Sequence, residues 1–483
     1  MRQENSNTSR ASKFLKDFGI YAIGNLGSKL ITFLMVPLYT YFVDKPADYG
    51  YYDVCLTLCF LLIPVVTLQM RDGVFRFLLG TTNEGRKSAI ISFAFRAMLT
   101  STIAAIAVAI AVALIHPVPY LAYTVALLLV MSANEVSAQT ARGLGNTGVF
   151  VANGIIQSFG IMALSLLLVA ALGMGVEGIF IANIAARVIS TAYVEMRTHI
   201  VSRYLRHSGP IAGLGRDMLR YSLPLLPVTL CWWLTTSSDR FFIMHFLDLH
   251  TNGVYAVVLR FSSIIQTLSV IFYQTWQETA IVQYESSDRN AFFSKILNGY
   301  VFVLVALLIA YTFMVKMCYH WLVGPEYQGG ISYVYPLGVS TVCYAIAAYF
   351  ELPYQCAKDT KRAIPSVVLT AVVNVALNYV LVPAFGIYGI IATSIISYGT
   401  LIAYRWVDTR RYCRLKLYPA TLIPLGIMAA CGLVFNHIGP TWANAALMIV
   451  LLAAIAASAP AFLKGQVKQK INSAMSRVMR KNS

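Results

Sequence analysis

Charge is scarce in this chain of 483 residues: only 12% are Asp, Glu, Lys or Arg, and 20 acids face 37 Lys and Arg. A soluble domain carries about 25% charged residues, so this set cannot clothe a water-exposed surface of such size. A metal or disulfide framework is also missing. The 8 cysteines lie mostly inside apolar runs and never as Cys-x-x-Cys, with Cys55 and Cys59 on one probable turn of helix, which excludes the usual zinc and redox spacings. The first apolar run, from about Phe18 to Val43, exceeds a signal peptide's apolar region and lacks a small-residue cleavage pattern after it. It is therefore read as a retained span.

What is present is apolar sequence: 58% of residues are hydrophobic and the mean hydropathy is +0.67. Runs of roughly 20 apolar residues predict an all-α polytopic membrane protein with about 14 transmembrane helices, at 17-43, 49-70, 88-115, 119-141, 147-171, 176-198, 217-238, 253-283, 295-319, 332-356, 363-383, 387-407, 417-437 and 441-463. Placing the N-terminus inside puts Arg10, Lys13 and Lys16, then Arg71, Arg76, Arg86 and Lys87, then Arg203, Arg206, Arg216, Lys361, Arg362, Arg410, Arg411, Arg414 and the tail from Lys464 on the cytoplasmic side. The outer segments keep little beyond Lys45 and Arg240. This asymmetry predicts that both termini are cytoplasmic, and it accounts for much of the net charge of +17 without nucleic acid as a partner. The longest outer segments, roughly Asp239 to Asn252 and His320 to Ile331, leave no room for an extramembrane catalytic domain.

One polar stretch occurs twice. "EVSAQTAR" from Glu135 and "ELPYQCAK" from Glu351 share E-x-x-x-Q-x-A-[R/K], which pairs Glu135, Gln139 and Arg142 with Glu351, Gln355 and Lys358. On a helix the three polar positions share one face. "GVEGIF" at Gly175 answers "GIYGII" at Gly386, "KDFGIYA" at Lys16 answers "RDMLRYS" at Arg216, and "YGYYDV" at Tyr49 answers "NGVYAV" at Asn252. The shared order predicts two pseudo-symmetric six-helix lobes, residues 17-200 and 217-408, joined by a linker at 201-216. An N-terminal segment, 1-16, precedes them; two further helices within 417-463 and a basic tail, 464-483, follow. A repeat of even span number keeps its orientation, so the lobes are related by an axis along the membrane normal, a transporter architecture.

On the stretches "KDFGIYAIGNLGSKLITFLMVPLYTYFVDKPADYGYYDV" from Lys16, "ARGLGNTGVFVANGI" from Ala141 and "NVALNYVLVPAFGIYGIIATSIISYGT" from Asn374, the chain resembles the polysaccharide exporters, especially the O-antigen (Wzx-type) flippases, of the multidrug/oligosaccharidyl-lipid/polysaccharide superfamily. The resemblance spans nearly the whole chain, the last two helices being least characteristic. It implies movement of an undecaprenyl-diphosphate-linked oligosaccharide across a bacterial inner membrane. Membrane lipids and the polysaccharide polymerase and chain-length machinery are its expected partners, and Na+ or H+ its expected coupling ion.

Ionisable residues deep in a bilayer cost a few kcal/mol each and need a partner or a wet cavity. Lys29, Arg96 and Arg187 fall near the middle of spans 1, 3 and 6, with Arg260 about two turns inside span 8. The acids Glu135, Glu278 and Glu351 lie in the cytoplasmic third of their helices, so the deeper field is positive and suits a diphosphate. Asn25, Lys29 and Thr32 form one polar stripe, Asn183, Arg187 and Ser190 a second, and Arg260, Ser263, Thr267, Gln274 and Gln277 a third. The plainer reading of each stripe is hydrogen bonding between helices. Lys316 is read as reaching back to the outer surface.

In related lipid II flippases a sodium ion sits among carboxylate and amide ligands; the corresponding positions here are Asp239, Asn374, Asn378 and Thr393, where Asn378 stands in place of an acid. The paired Glu-Gln-basic motifs are read as a cytoplasmic gate, either as a latch between lobes or as local scaffolding of each helix. A multidrug antiporter of the same fold would favour carboxylates in its cavity, and a lipid II flippase is a further alternative. An integral-membrane glycosyltransferase would need catalytic acids and a substantial outer loop. The chain is therefore expected to be a transporter rather than an enzyme.

Overall fold

A computed structural model describes residues 31-458 apart from 32, 33, 44, 80, 206-210, 358 and 435-441. Every regular element among the described residues is helical. This follows from the solvent: hydrocarbon offers no hydrogen-bond partners, so each segment must satisfy its own backbone. Among the described residues, ten helices are long and apolar enough to cross a membrane, and they correspond to expected spans 2 to 6 and 8 to 12.

After a helical stretch at 34-42 (α1) come α2 (Pro46–Val66), α3 (Met70–Leu78), α4 (Glu84–Ile115), α5 (Leu121–Gly143), α6 (Thr147–Ser165, ending in a wider turn over Leu166–Ala171) and α7 (Gly175–Thr198). Then follow α8 (Leu214–Ser222), α9 (Leu225–Ser237), α10 (Asp239–Phe246), α11 (Leu249–Gln283) and α12 (Arg289–Leu322). The chain closes with α13 (Val334–Tyr349), α14 (Leu352–Cys356), α15 (Ile364–Phe385), α16 (Ile387–Asp408), α17 (Leu422–Val434) and α18 (Trp442–Ser458).

Three features differ from the expected spans. Span 7 is broken into α8 and α9 at Pro224, which has no N–H to donate and whose ring disfavours the preceding turn. The expected outer segment from Asp239 is largely helical as α10 and the start of α11. The segment after span 2 forms α3, whose Met70, Val74 and Leu78 pack with Ile90, Ile91, Val194 and Met218 in a buried cluster.

The chain divides into two compact units. The first runs to Arg260 and includes Leu322–Gln328; the second comprises Phe261–Trp321 and the chain from Gly329 onward. Units defined by packing therefore do not coincide with lobes defined by the repeat. In the first unit Trp233 of α9 donates to the Thr57 carbonyl of α2 at 3.2 Å, and Gln69 donates to Thr229 at 3.2 Å. The start of α11 is joined to α2 more closely still. A Cβ on Gly50 would stand 2.1 Å from the Leu249 carbonyl oxygen, and one on Gly253 would stand 2.0 Å from that of Pro46. These glycines are equivalent in the repeat, and each meets the residue four positions before the other. The contact is reciprocal, as a pseudo-two-fold relation requires, and only residues without a side chain allow it. Asn252 seals it by donating to the Gly50 carbonyl at 2.7 Å.

Candidate functional site

Within the first unit, two of the expected intramembrane cations approach one group of tyrosines. Arg260 on α11 donates from Nε to the hydroxyl of Tyr49, and its guanidinium lies 5.7 Å from the Tyr49 ring centre and 5.9 Å from that of Tyr39. The Gly50–Gly253 approach explains the reach, since it brings α2 against α11 two turns before Arg260. Tyr39 and Tyr49 have ring centres 5.7 Å apart, and Tyr52 adds its ring 6.2 Å from Tyr49. The Tyr39 hydroxyl lies 3.1 Å from Ser165 Oγ.

Arg187 on α7 is 7% exposed. Its Nη1 donates to the Asn183 side-chain oxygen at 2.8 Å and to the Asn183 backbone carbonyl at 3.1 Å. The Tyr52 ring lies 5.0 Å from that of Phe180, two turns before Arg187 on α7. Next to Arg187, Asn134 Nδ2 lies 3.0 Å from Asn153 Oδ1, 3.0 Å from Ser190 Oγ and 2.9 Å from Thr191 Oγ1. Asn134 and Asn153 were not among the expected site residues; an amide inside an apolar run was their only signal.

Two acids of this unit, Asp53 and Asp239, are already engaged. Asp53 accepts from Arg240 Nε at 3.1 Å, a pair mostly hidden from solvent, and Asp239 accepts from the Tyr255 hydroxyl at 2.8 Å. Arg187, by contrast, has no carboxylate within ion-pair distance among the described residues. Neutral oxygens satisfy some of its donors but do not cancel its charge, so an anion brought here would be stabilised rather than repelled.

The other expected cations divide. Lys29 and Asn25 lie outside the described residues. Arg96 is a correction: it is exposed, and it does not join the buried group. Ser92 and Phe93, one turn earlier, are packed, but from Arg96 onward α4 exposes Leu99, Ile103 and Val108.

The Glu-Gln-basic motifs sit one in each unit. In the first, Glu135 Oε2 lies 3.5 Å from Arg71 Nη1 of α3, while Arg142 stacks 4.5 Å from Phe75 and 5.5 Å from Phe150. Gln139 is half-buried beside them. The pairing of Glu135 with Arg142 along one helix is not formed. In the second unit, Glu351 Oε2 lies 3.8 Å from Nη1 of Arg405 on α16, an arginine only 1% exposed. Arg405 also donates to Ser366 Oγ at 3.1 Å and to the Ala347 carbonyl at 3.4 Å. Gln355 donates to the Tyr273 hydroxyl at 2.9 Å and to Glu351 at 3.2 Å, and accepts from Gln277 at 2.5 Å. Gln277 therefore belongs to this network rather than to the Arg260 stripe. Lys358 and the side chains of Gln274 and Glu278 lie outside the described residues. Arg405 was missed because an arginine at a span's cytoplasmic end reads as topology.

For the expected sodium site, Asp239 belongs to the first unit, whereas Asn374, Asn378 and Thr393 are buried in the second on α15 and α16. Asn378 Nδ2 donates to Asn374 Oδ1 at 3.2 Å. These three are amides and a hydroxyl, and no group of three or more His, Cys, Asp or Glu that could hold a metal occurs among the described residues. The donor set lacks the carboxylate that compensates a hard cation's charge.

Residues 14–276 match the family model described as "Polysaccharide biosynthesis protein". A search of curated sequences returns no match. Among solved structures, "Lipid II flippase MurJ, inward closed conformation" is 12% identical with a TM-score of 0.71, covering 90% of this chain and 97% of that one. "Inward-facing conformation of a multidrug resistance MATE family transporter of the MOP superfamily" is 13% identical with a TM-score of 0.64, covering 81% and 98%. At these identities the likeness is one of fold.

Proposed function

From its membership in the polysaccharide biosynthesis protein family, to which the chain belongs, and from a fold shared with membrane transporters, we propose that it is a flippase for an undecaprenyl-diphosphate-linked oligosaccharide. It carries an O-antigen, capsule or exopolysaccharide repeat unit from the cytoplasmic to the periplasmic leaflet of a bacterial inner membrane. The two lobes rock in alternating access, both termini stay in the cytoplasm, and Na+ or H+ supplies the coupling.

Arg260 against Tyr49 and Tyr39, with the buried Arg187 on α7, the helix that Tyr52 packs against, carries this reading. The diphosphate is what keeps such a lipid from crossing unaided, because an uncompensated anion in hydrocarbon is prohibitively costly. Two guanidiniums among tyrosine hydroxyls and asparagine amides supply charge and directed donors in place of water. The tyrosine faces and the Asn134–Asn153 pair suit the mixed apolar and hydroxylated surface of a sugar. Transport requires no bond to be made or broken. A cationic drug would meet a site whose buried acid on α2, Asp53, is already paired with Arg240. This observation disfavours the multidrug reading.

The repeated motifs serve the cytoplasmic gate, with Arg71 and Arg405 as the partners that Glu135 and Glu351 hold in this state. The deciding experiment is analysis of lipid-linked intermediates in a deletion strain. Undecaprenyl-linked repeat units should accumulate on the cytoplasmic leaflet while one surface polysaccharide disappears. Normal surface glycan with altered drug sensitivity would replace this reading with efflux.

A further inference from the structure

The second unit has a cavity of about 270 Å³ that the transport site does not use, lined by α11 and α12 between Leu268 and Leu307. One ridge of α12 forms its floor: Lys295, Gly299, Val303 and Leu307 recur every four residues, and the Phe272 and Tyr300 rings, stacked 3.8 Å apart, wall it. Val303 is 57% exposed and Leu268 40% exposed, so the groove opens on the outside of a membrane-spanning helix. There the surrounding solvent is lipid.

Its two ends differ. The apolar end has Leu304 and Leu307, whereas the other has Lys295, with Arg289 at the start of the same helix. The adjacent face of α12 fastens an irregular segment that carries Arg414 and Lys416. The Arg414 N–H donates to Asn290 at 2.9 Å, the Lys416 N–H donates to Ser294 Oγ at 2.9 Å, and Asn298 donates to the Lys416 carbonyl at 2.8 Å. Lys295 thus lines one end of an otherwise apolar slot, and the chain carrying Arg414 and Lys416 is tied to the same end of α12, where Arg289 begins the helix. The positive-inside pattern assigns that end to the cytoplasmic surface.

We propose that this groove binds one acyl chain of an anionic phospholipid, with its phosphate at the Lys295 end. The size favours a single chain over a glycan, since pockets for compact ligands begin at about 300 Å³. Length selects the kind of lipid. From Lys295 to Leu307 the helix rises roughly 18 Å, close to one leaflet of a hydrocarbon layer about 30 Å thick. A leaflet phospholipid fits that depth, while a polyprenyl chain overruns it. Charge completes the selection, because basic pockets at the cytoplasmic membrane surface favour anionic headgroups. The proposal does not depend on which glycan the protein carries.

The full chain, purified into nanodiscs containing equal phosphatidylglycerol and phosphatidylethanolamine, should retain phosphatidylglycerol preferentially when examined by native mass spectrometry. Lys295→Met should reduce that preference about fivefold, the effect of one basic residue at an anionic surface. Val303→Trp, at an exposed position, should fill the groove and lower retention of both lipids while leaving thermal stability unchanged. Equal retention of the two lipids by the wild-type chain would overturn the proposal. So would an unaltered preference in both variants, or displacement of bound lipid by a polyprenyl diphosphate at concentrations where added phosphatidylglycerol has no effect.

Discussion

The buried arginines of the two units make opposite arrangements from the same side chain. Arg405 is enclosed with a carboxylate at 3.8 Å, a serine and a backbone carbonyl, and the Gln355–Tyr273–Gln277 hydrogen bonds brace that carboxylate. Arg187 is nearly as deeply buried but is held by the two oxygens of Asn183. The first arrangement cancels its charge internally and needs nothing further. The second leaves a positive charge that a transient anion can satisfy. Burial of a cation is therefore not itself a sign of substrate binding; what separates scaffold from site is whether a carboxylate of the same unit stands within ion-pair distance.

Alanine at the two kinds of arginine should fail in different ways. The largest effect on transport is expected from Arg187→Ala and Arg260→Ala. Losing one buried partner of an anion costs about 2–5 kcal/mol, so export should fall about 30-fold or more while membrane abundance stays near normal. Surface glycan measured against protein level checks this, and full complementation by both variants would erase the distinction between the units.

Arg405→Ala should instead act through stability. A fully buried pair loses about 3–5 kcal/mol when broken, but Glu351 is one-third exposed, so a loss of about 1–3 kcal/mol is expected after allowing for screening. The sign to seek is a lower apparent unfolding midpoint and lower abundance, with export per molecule preserved. A stable but inactive Arg405→Ala protein would move this arginine into the transport site.

A smaller effect should come from the first motif, whose Arg71–Glu135 pair is 3.5 Å apart and about one-third exposed on both sides. Glu135→Gln should cost less than about 1 kcal/mol. Charge exchange sharpens the comparison. Glu135→Lys should impair export, and Arg71→Glu should restore part of it by remaking the pair seen here. Restoration by Lys358→Glu instead would assign the acid to a latch with the other motif. Least of all, Arg96→Ala should change neither export nor stability, since its side chain lies exposed on α4; an export defect there would return it to the cationic group.

The sequence alone determined the helical class, most of the span positions and the duplication, because crossing hydrocarbon imposes length, apolarity and internal hydrogen bonding on every segment alike. It also singled out Arg187 and Arg260, since a cation in an apolar run is conspicuous wherever it points. The break before α9 was written in Pro224, but a hydropathy window averages across a proline. Tertiary structure decided the partners. It turned Arg96 outward, gave Glu135 to Arg71 rather than Arg142, enclosed Arg405 against Glu351, and let Gly50 and Gly253 touch. Hydropathy measures the cost of transferring a residue into lipid, and that cost is the same on every face of a helix. Which face meets another helix depends on crossing points between segments distant in sequence, and it is there that a buried charge becomes either scaffold or site.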